Sequence, residues 1–236
     1  MKNFTHYLSA HCESGALSSL LKNRGCDISE TLLFGISGSL FFVHFPFVKL
    51  YDIPLTSYRD FPRKIIKRSA NRLDFKMEFK KYKDSNFAMD DLDRLIDVHG
   101  SVGLQTSVYW LGYFPPKMRF HFNGHNIIVY GKKHGEYMIS DPVFDKPVLC
   151  SREDLKRARF GKGIFAPKGT LYYPLSLPDK KLINSSIWKG IDHTCKRMLY
   201  IYLPYFGYRG IRFLGESIIQ WPKKLKSEKK VRAYIG

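Results

Sequence analysis

The segment HNIIVYGKKHGEYMISDP, residues 125–142, constrains the fold of this chain more than any other. Two runs rich in β-branched and aromatic residues, 127–130 and 136–140, stand on either side of the turn-forming sequence KKHG. This arrangement predicts a β-hairpin. Because a short turn joins antiparallel strands and parallel strands need a long crossover, the sequence predicts a sheet with antiparallel pairing.

Helical patterns stand on both sides of this hairpin. Apolar residues recur at helical spacing in residues 14–24, 28–34, 89–98, 152–159, 184–200 and 210–221. Because strands and helices do not alternate strictly, this order indicates an α+β fold. The character of the chain changes after LPDKK, which predicts a main domain at residues 1–178 and a C-terminal helical segment at residues 179–236.

Shorter patterns predict the remaining elements. Residues 40–44 and 47–51 are two apolar runs, and Pro46 between them predicts a break because proline cannot donate to a sheet. The sequence GISGS at 35–39 predicts a tight loop. Further strands are predicted within 72–82, where apolar and charged residues alternate, and at 102–111 and 170–174.

The net charge of +18 favours anionic partners, such as nucleic acid, phospholipid headgroups or an acidic protein. The excess is concentrated in residues 59–83, which contain ten Lys and Arg residues, and in the tail PKKLKSEKKVRAYIG. A solvated face and a loose tail would explain the same distribution, so this alternative stays open.

Composition excludes several classes of protein. A hydrophobic fraction of 44%, with 18 Phe and 15 Tyr, argues against disorder and for a sizeable core. The chain has no apolar run long enough to span a membrane and no secretion signal at its N-terminus, so we expect a cytoplasmic protein. Its four cysteines should then be free thiols. Their spacing does not suggest a metal site, and we expect no metal and no cofactor.

Cys12 stands at the start of the predicted helix 14–24. Unpaired backbone N–H groups and the helix dipole stabilise an anion there, so the pKa of this thiol should fall and its reactivity rise. The small residues Ser14, Gly15 and Ala16 leave room for a substrate beside the sulfur. A cysteine is more often a small buried apolar residue, so its position alone does not establish a chemical role.

Two further residues complete a candidate catalytic set. His125 begins the first strand of the predicted hairpin and Asp141 follows the second. Because the start of one hairpin strand lies beside the end of the other, the Asp141 carboxylate can orient the imidazole of His125. A histidine is the side chain best suited to accept a proton from a thiol near neutral pH. We therefore predict Cys12 as nucleophile, His125 as base and Asp141 as the residue that orients it.

The sequences HCESGALSSLLKNRGCDISETLLFGISGSLFF and HFNGHNIIVYGKKHGEYMISDP resemble the N-terminal domain family of butirosin biosynthesis protein H. The resemblance covers roughly residues 5–175 and implies a papain-like, C39-like cysteine enzyme with the same three catalytic residues. It also implies acyl transfer in secondary-metabolite biosynthesis. An acyl group would pass from an acyl carrier protein thioester to Cys12, and then to the amine or hydroxyl of a small-molecule acceptor.

Papain-like enzymes place a glutamine before the nucleophile, where it donates to the oxyanion, but His6 occupies that position here. His6 and His11 are therefore candidate oxyanion or site-lining residues. Carrier proteins are acidic and carry a phosphate, so the basic stretch 59–83 and Arg119 are candidates for docking one. The residues Tyr109, Trp110, Tyr113, Phe114, Phe120 and Phe122 are either core residues or the lining of an acyl tunnel.

Two other functions stay open on sequence alone. A cysteine peptidase or amidase would use the same site, with water resolving the acyl-enzyme. A non-enzymatic protein would bind an anionic partner through the basic face. In that case peripheral membrane contact is compatible with the charge, whereas nucleic acid is the less expected partner.

Overall fold

A computed structural model describes residues 4–50 and 53–225 of the chain. Its centre is a six-stranded sheet with the strand order β3-β8-β4-β5-β6-β7, and every neighbouring pair is antiparallel. The strands are β3 (Met77–Lys80), β4 (Val102–Thr106), β5 (His125–Lys133), β6 (Glu136–Ser140), β7 (Val148–Cys150) and β8 (Leu171–Pro174). The α+β class and the antiparallel sheet are confirmed, and β5 and β6 form the predicted hairpin.

A separate two-stranded ribbon consists of β1 (Leu40–Leu50) and β2 (Ile53–Arg59). The sequence predicted that Pro46 separates two strands, but in the structure the single strand β1 runs through Pro46. The pairing passes from Phe45 opposite Leu55 to Lys49 opposite Pro54, so an irregularity in register accommodates the proline.

The helices are α1 (Cys12–Lys22), α2 (Glu30–Ser37), α3 (Lys64–Arg72), α4 (Ser85–His99), α5 (Arg152–Arg159), α6 (Ile183–Leu199) and α7 (Gly207–Leu225). Two predictions were wrong in detail. Residues 35–37 of the predicted loop belong to α2, which ends at Ser37 and is capped by Gly38 with a left-handed φ of 60°. The strand predicted at 102–111 ends at Thr106 before a short 3-10 turn, whereas the strand predicted within 72–82 is confirmed as β3.

The central sheet is covered on both faces. On one face α1 packs with α2 and α3 against Ile128 and Tyr172, and on the other α4 and α5 pack against Ile127 and Val129. Successive strand residues point to opposite faces, so burial on both sides explains the continuous apolar run of β5. Helix α1, which carries Cys12, is therefore fixed against one face of the sheet.

The C-terminal helices pack on the rest of the chain. Helix α6 crosses α2 so closely that a Cβ on Gly190 would lie 2.2 Å from the carbonyl oxygen of Gly35. Helix α7 follows Tyr205, whose carbonyl accepts a hydrogen bond from the N–H of His44 in β1 at 2.9 Å. The division at residue 178 stays a prediction. Among the described residues, no helix combines the length and the apolar character needed to cross a membrane.

Candidate active site

Cys12 is the first residue of α1, and His11 caps this helix. The Nδ1 atom of His11 accepts a hydrogen bond from the backbone N–H of Ser14 at 3.3 Å. Cys12 is only 9% exposed. Its Sγ lies 4.0 Å from the carbonyl oxygen of Gly124 and 4.0 Å from Nδ2 of Asn126. The thiol is thus placed at a helix N-terminus, where the dipole favours its anionic form.

His125 and Asp141 meet beside this helix, at the open end of the hairpin. The Nε2 atom of His125 donates to Oδ2 of Asp141 at 2.8 Å, and both residues are buried. The same Oδ2 accepts from the Tyr113 hydroxyl at 2.8 Å, while Oδ1 accepts from the backbone N–H of Val143 at 3.2 Å. Since Nε2 is bound to Asp141, the other ring nitrogen, Nδ1, is the one left for Cys12. The structure brings the three residues together as the sequence predicted.

The charges of this group stabilise one another. Burial opposes charge on His125, but the Asp141 carboxylate and the hydrogen bond with Cys12 raise the pKa of the imidazole to about 10. Burial also opposes charge on Cys12, yet the pKa of its thiol is lowered by His125, Arg59 and the backbone N–H of Asn126. Both shifts favour a thiolate–imidazolium pair, which is the reactive state of a nucleophilic cysteine.

We expect Cys12 to react with iodoacetamide at a lower pH than an ordinary thiol, whose pKa is 9.0, because the pKa of Cys12 is lowered. In His125→Ala the rate at pH 7 should fall by about tenfold or more. Mass spectrometry in a Cys195→Ser background measures this, since Cys195 is the exposed cysteine. Identical pH profiles with and without His125 would contradict the ion pair.

Aromatic residues pack against the imidazole of His125. The ring of Phe114 stands edge-on to that of His125 at a centroid distance of 5.6 Å, and Tyr113 and Phe144 pack beside it. Phe114 is 5% exposed and belongs to the core. Tyr113 and Phe114 therefore support the imidazole, and of the two alternatives that the sequence left open, Phe114 follows the core one.

His6 does not replace the expected glutamine. Its Nδ1 is bound to Oγ of Ser140 and its Nε2 to the carbonyl oxygen of Phe144, each at 2.8 Å. With both ring nitrogens engaged, His6 has no free donor for an oxyanion, so that prediction needs correction. Its bonds instead fasten the N-terminal segment to the end of β6, next to Asp141.

His11 lies close enough to His125 and Arg59 for their charges to affect it. Burial, with these two positive charges, lowers the pKa of His11 to about 4, so its ring is neutral. Nδ1 accepts the capping bond, and therefore Nε2 carries the proton. Among the described residues this buried Nε2 has no hydrogen-bond partner. The role of His11 as a site-lining residue stays a prediction.

Sequence reasoning missed Glu13, Arg59 and Asn126. The fully buried carboxylate of Glu13 accepts the backbone N–H groups of Ile65 and Ile66, at 3.0 and 3.3 Å, and lies 3.3 Å from Nη1 of Arg59. Burial raises the pKa of Glu13 and these partners oppose the rise. Its position next to Cys12 was the only available signal. Asn126, beside His125 in sequence, contacts the nucleophile directly.

Several cations of the basic stretch 59–83 form ion pairs with carboxylates of the protein itself. Arg59 pairs with Glu13, Arg68 pairs with Asp60 at 2.6 Å, and Lys80 pairs with Asp91 at 3.1 Å. The exposed cations of the stretch are Lys64, Lys67, Lys76, Lys81 and Lys83. The free positive charge is therefore smaller than the sequence indicated.

The other cysteines differ from Cys12. Cys26 and Cys150 are buried, and burial raises the pKa of each thiol, to about 12 for Cys150. A buried thiol with a raised pKa is a poor nucleophile, because it is rarely ionised at neutral pH. Within the described part of the chain, no three His, Cys, Asp or Glu side chains are grouped as metal ligands.

Comparisons with known proteins bear on the family and the fold of the chain. The family model described as "Butirosin biosynthesis protein H, N-terminal" matches residues 11–142, and a domain of unknown function (DUF4872) matches residues 153–236. No curated protein sequence matches the chain. A C39-like peptidase from Bacillus anthracis superposes with a TM-score of 0.51 at 12% identity, covering 75% of this chain and 97% of that chain.

A second solved structure is the peptidase domain of Streptococcus ComA, a bifunctional ABC transporter. It superposes with a TM-score of 0.47 at 15% identity and covers 73% of this chain and 98% of that chain. The first similarity, together with the helix that presents Cys12 to an antiparallel sheet, confirms the papain-like, C39-like fold.

Proposed function

Because the chain belongs to the family of butirosin biosynthesis protein H N-terminal domains, we propose that it is a cysteine-dependent acyltransferase. It takes an acyl group from an acyl carrier protein thioester onto Cys12 and passes it to an amine or hydroxyl acceptor. One observation carries this proposal. The nucleophile at the start of α1 meets a buried imidazole that already holds a 2.8 Å bond to a carboxylate.

In the first step the Cys12 thiolate attacks the carbonyl carbon of the donor thioester. The new carbon–sulfur bond forms, the carbonyl oxygen becomes an oxyanion, and the carrier thiolate then leaves with the proton of the His125 imidazolium. The donors near the sulfur are the Cys12 backbone N–H, at a helix start without an intrahelical acceptor, and Nδ2 of Asn126.

In the second step the acceptor attacks the acyl-enzyme. Neutral His125 takes the proton from the amine or hydroxyl, the amide or ester forms, and Cys12 leaves as a thiolate. The thiolate–imidazolium pair is thereby restored, and no redox partner or cofactor is consumed. The Asp141 carboxylate stabilises the imidazolium in both halves of the cycle.

The proposed partners follow from charge. A carrier protein is acidic and presents a phosphate, and the exposed lysines 64, 67, 76, 81 and 83 offer a complementary surface. We also propose that the reaction belongs to secondary-metabolite biosynthesis and takes place in the cytoplasm, where cysteines stay reduced. We propose that the acceptor is a small molecule. The same positive charge would also favour contact with an anionic membrane surface.

Intact-mass analysis after mixing with acyl-loaded carrier protein tests the proposal. We expect the chain to gain the mass of one acyl group, and the gain to disappear in Cys12→Ala because the nucleophile is gone. Cys195→Ala, which removes the exposed cysteine of α6, should acylate normally. Acyl uptake by Cys12→Ala would overturn the proposal.

A peptidase or amidase is the second candidate, because the superposed structure from Bacillus anthracis is that of a C39-like peptidase. Water would then resolve the acyl-enzyme instead of an amine. Incubation with peptides and with acyl-carrier substrates side by side separates the two functions. Cleavage of peptides without uptake of acyl groups would favour the hydrolase.

A further inference from the structure

Four large exposed apolar side chains belong to segments that pack near Gly124, a neighbour of the Cys12 sulfur. We call Phe61, Phe120, Ile164 and Phe165 the apolar collar. Their exposed fractions are 59%, 51%, 58% and 43%. Single exposed apolar residues are ordinary, but several such side chains grouped next to a reactive group mark a binding surface.

The collar is connected to the nucleophile through Gly124, whose carbonyl oxygen lies 4.0 Å from Cys12 Sγ. A Cβ on Gly124 would lie 3.0 Å from the ring of Phe122 and 3.4 Å from Cγ of Pro62. Phe122 stacks on Phe120 at a centroid distance of 5.9 Å. Pro62 follows Phe61 in the sequence. Phe61 and Phe120 are therefore each linked to Gly124 through one intermediate residue, Pro62 and Phe122.

The other two members reach the same place on the loop 161–166. Asn123, the neighbour of Gly124, donates through Nδ2 to the carbonyl oxygens of Lys162 and Ile164, at 3.1 and 2.8 Å. Gln105 donates to the carbonyl oxygen of Phe165 at 3.1 Å. The ring of Phe165 then lies 6.0 Å from that of Phe61. Buried amide side chains therefore hold this loop against the site.

The backbone holds Phe165 in an unusual conformation. Its φ is 57°, in the left-handed region that aromatic residues rarely adopt. Such strain is tolerated where surrounding bonds enforce it, and here it turns an apolar ring toward Phe61 and solvent.

We propose that the apolar collar binds the hydrocarbon chain of the acyl group, so that the preferred donors are thioesters of medium or long apolar acids. This inference rests on the proposed function and names its substrate class. Burial of a hydrocarbon chain against exposed aromatic rings releases water from both surfaces, which lowers the free energy of the bound complex. A short or charged acyl group would leave the collar uncovered.

Acyl-N-acetylcysteamine thioesters from acetyl to dodecanoyl test the inference, with Cys12 acylation followed by intact mass in a Cys195→Ser background. We expect the second-order rate to rise by about tenfold or more from acetyl to octanoyl. In Phe61→Ala and in Phe165→Asn, where asparagine suits the left-handed backbone, this rise should shrink to about threefold or less. Phe87→Ala, an exposed phenylalanine of α4, should keep the full rise.

A second probe separates this inference from the proposed function. Alkyl methanethiosulfonates from methyl to octyl modify any accessible thiolate, so they require no acyl transfer. If no thioester acylates Cys12, the proposed function fails, and a chain-length effect with these reagents still supports the collar. Rates at Cys12 that follow those of glutathione at every length would overturn the collar, even if acyl transfer occurs.

Discussion

Replacing Asp141 with asparagine is expected to lower the rate of Cys12 acylation by about 10³-fold or more, with little change in the fold. The carboxylate accepts three hydrogen bonds, from Nε2 of His125, the Tyr113 hydroxyl and the N–H of Val143. An asparagine amide must point its NH₂ group at one of these donors. If it faces His125, the imidazole loses the tautomer and the orientation that leave Nδ1 for Cys12.

The loss of the carboxylate charge has a second consequence. Asp141 is the main cause that raises the pKa of His125 against burial, so Asp141→Asn should move that pKa down. Fewer imidazolium groups then remain at neutral pH, and the Cys12 thiolate loses its counter-charge. Iodoacetamide reactivity at pH 7 should fall together with acylation.

Tyr113→Phe is the matched control for this experiment. It removes one neutral donor to Asp141 but leaves the carboxylate and its bond to His125, so acylation should fall by less than about tenfold. Single-turnover acylation, followed by mass, measures both variants. Similar rates in Asp141→Asn and in the unmodified chain would show that the carboxylate has no part in the reaction.

Replacing Glu13 with alanine is expected to lower the free energy of unfolding by about 3 kcal/mol. The carboxylate is fully buried and accepts the backbone N–H groups of Ile65 and Ile66 at the start of α3. Alanine would leave these donors without an acceptor and would leave the Arg59 guanidinium without its partner. Buried donors that lose their partners carry the full cost of desolvation.

Urea unfolding followed by tryptophan fluorescence measures this change. Glu13→Gln keeps one acceptor oxygen and nearly the same volume, so it should be less destabilising than alanine. Glu216→Ala is the control, because that exposed residue pairs with Arg212 along α7 and its loss should change stability by less than about 0.5 kcal/mol. Equal stabilities of Glu13→Ala and Glu216→Ala would contradict the buried role.

Local patterns were enough to predict much of the fold. The turn between β5 and β6, the helix at 89–98 within α4 and the limits of α5 at 152–159 were predicted because each depends on neighbours in sequence. Helix α3 was not predicted, because residues 59–83 mix basic residues with two different periodicities. Contacts with α1 and α2 select the helix there, and those contacts are not visible in the local sequence.

The residues of the candidate site also fall into two groups, those that local sequence predicted and those that only the packed structure identified. The sequence by itself predicted three candidate catalytic residues, with Cys12 at a helix start and His125 beside Asp141 at the two ends of one hairpin. Only the tertiary structure decided that Cys12 lies beside the hairpin, that His6 is bound to β6 and that Glu13 holds Arg59 and α3. It also decided that Phe122 and Pro62 lie next to Gly124. These contacts join residues far apart in the chain, and their distances depend on how whole elements pack, which no local pattern encodes.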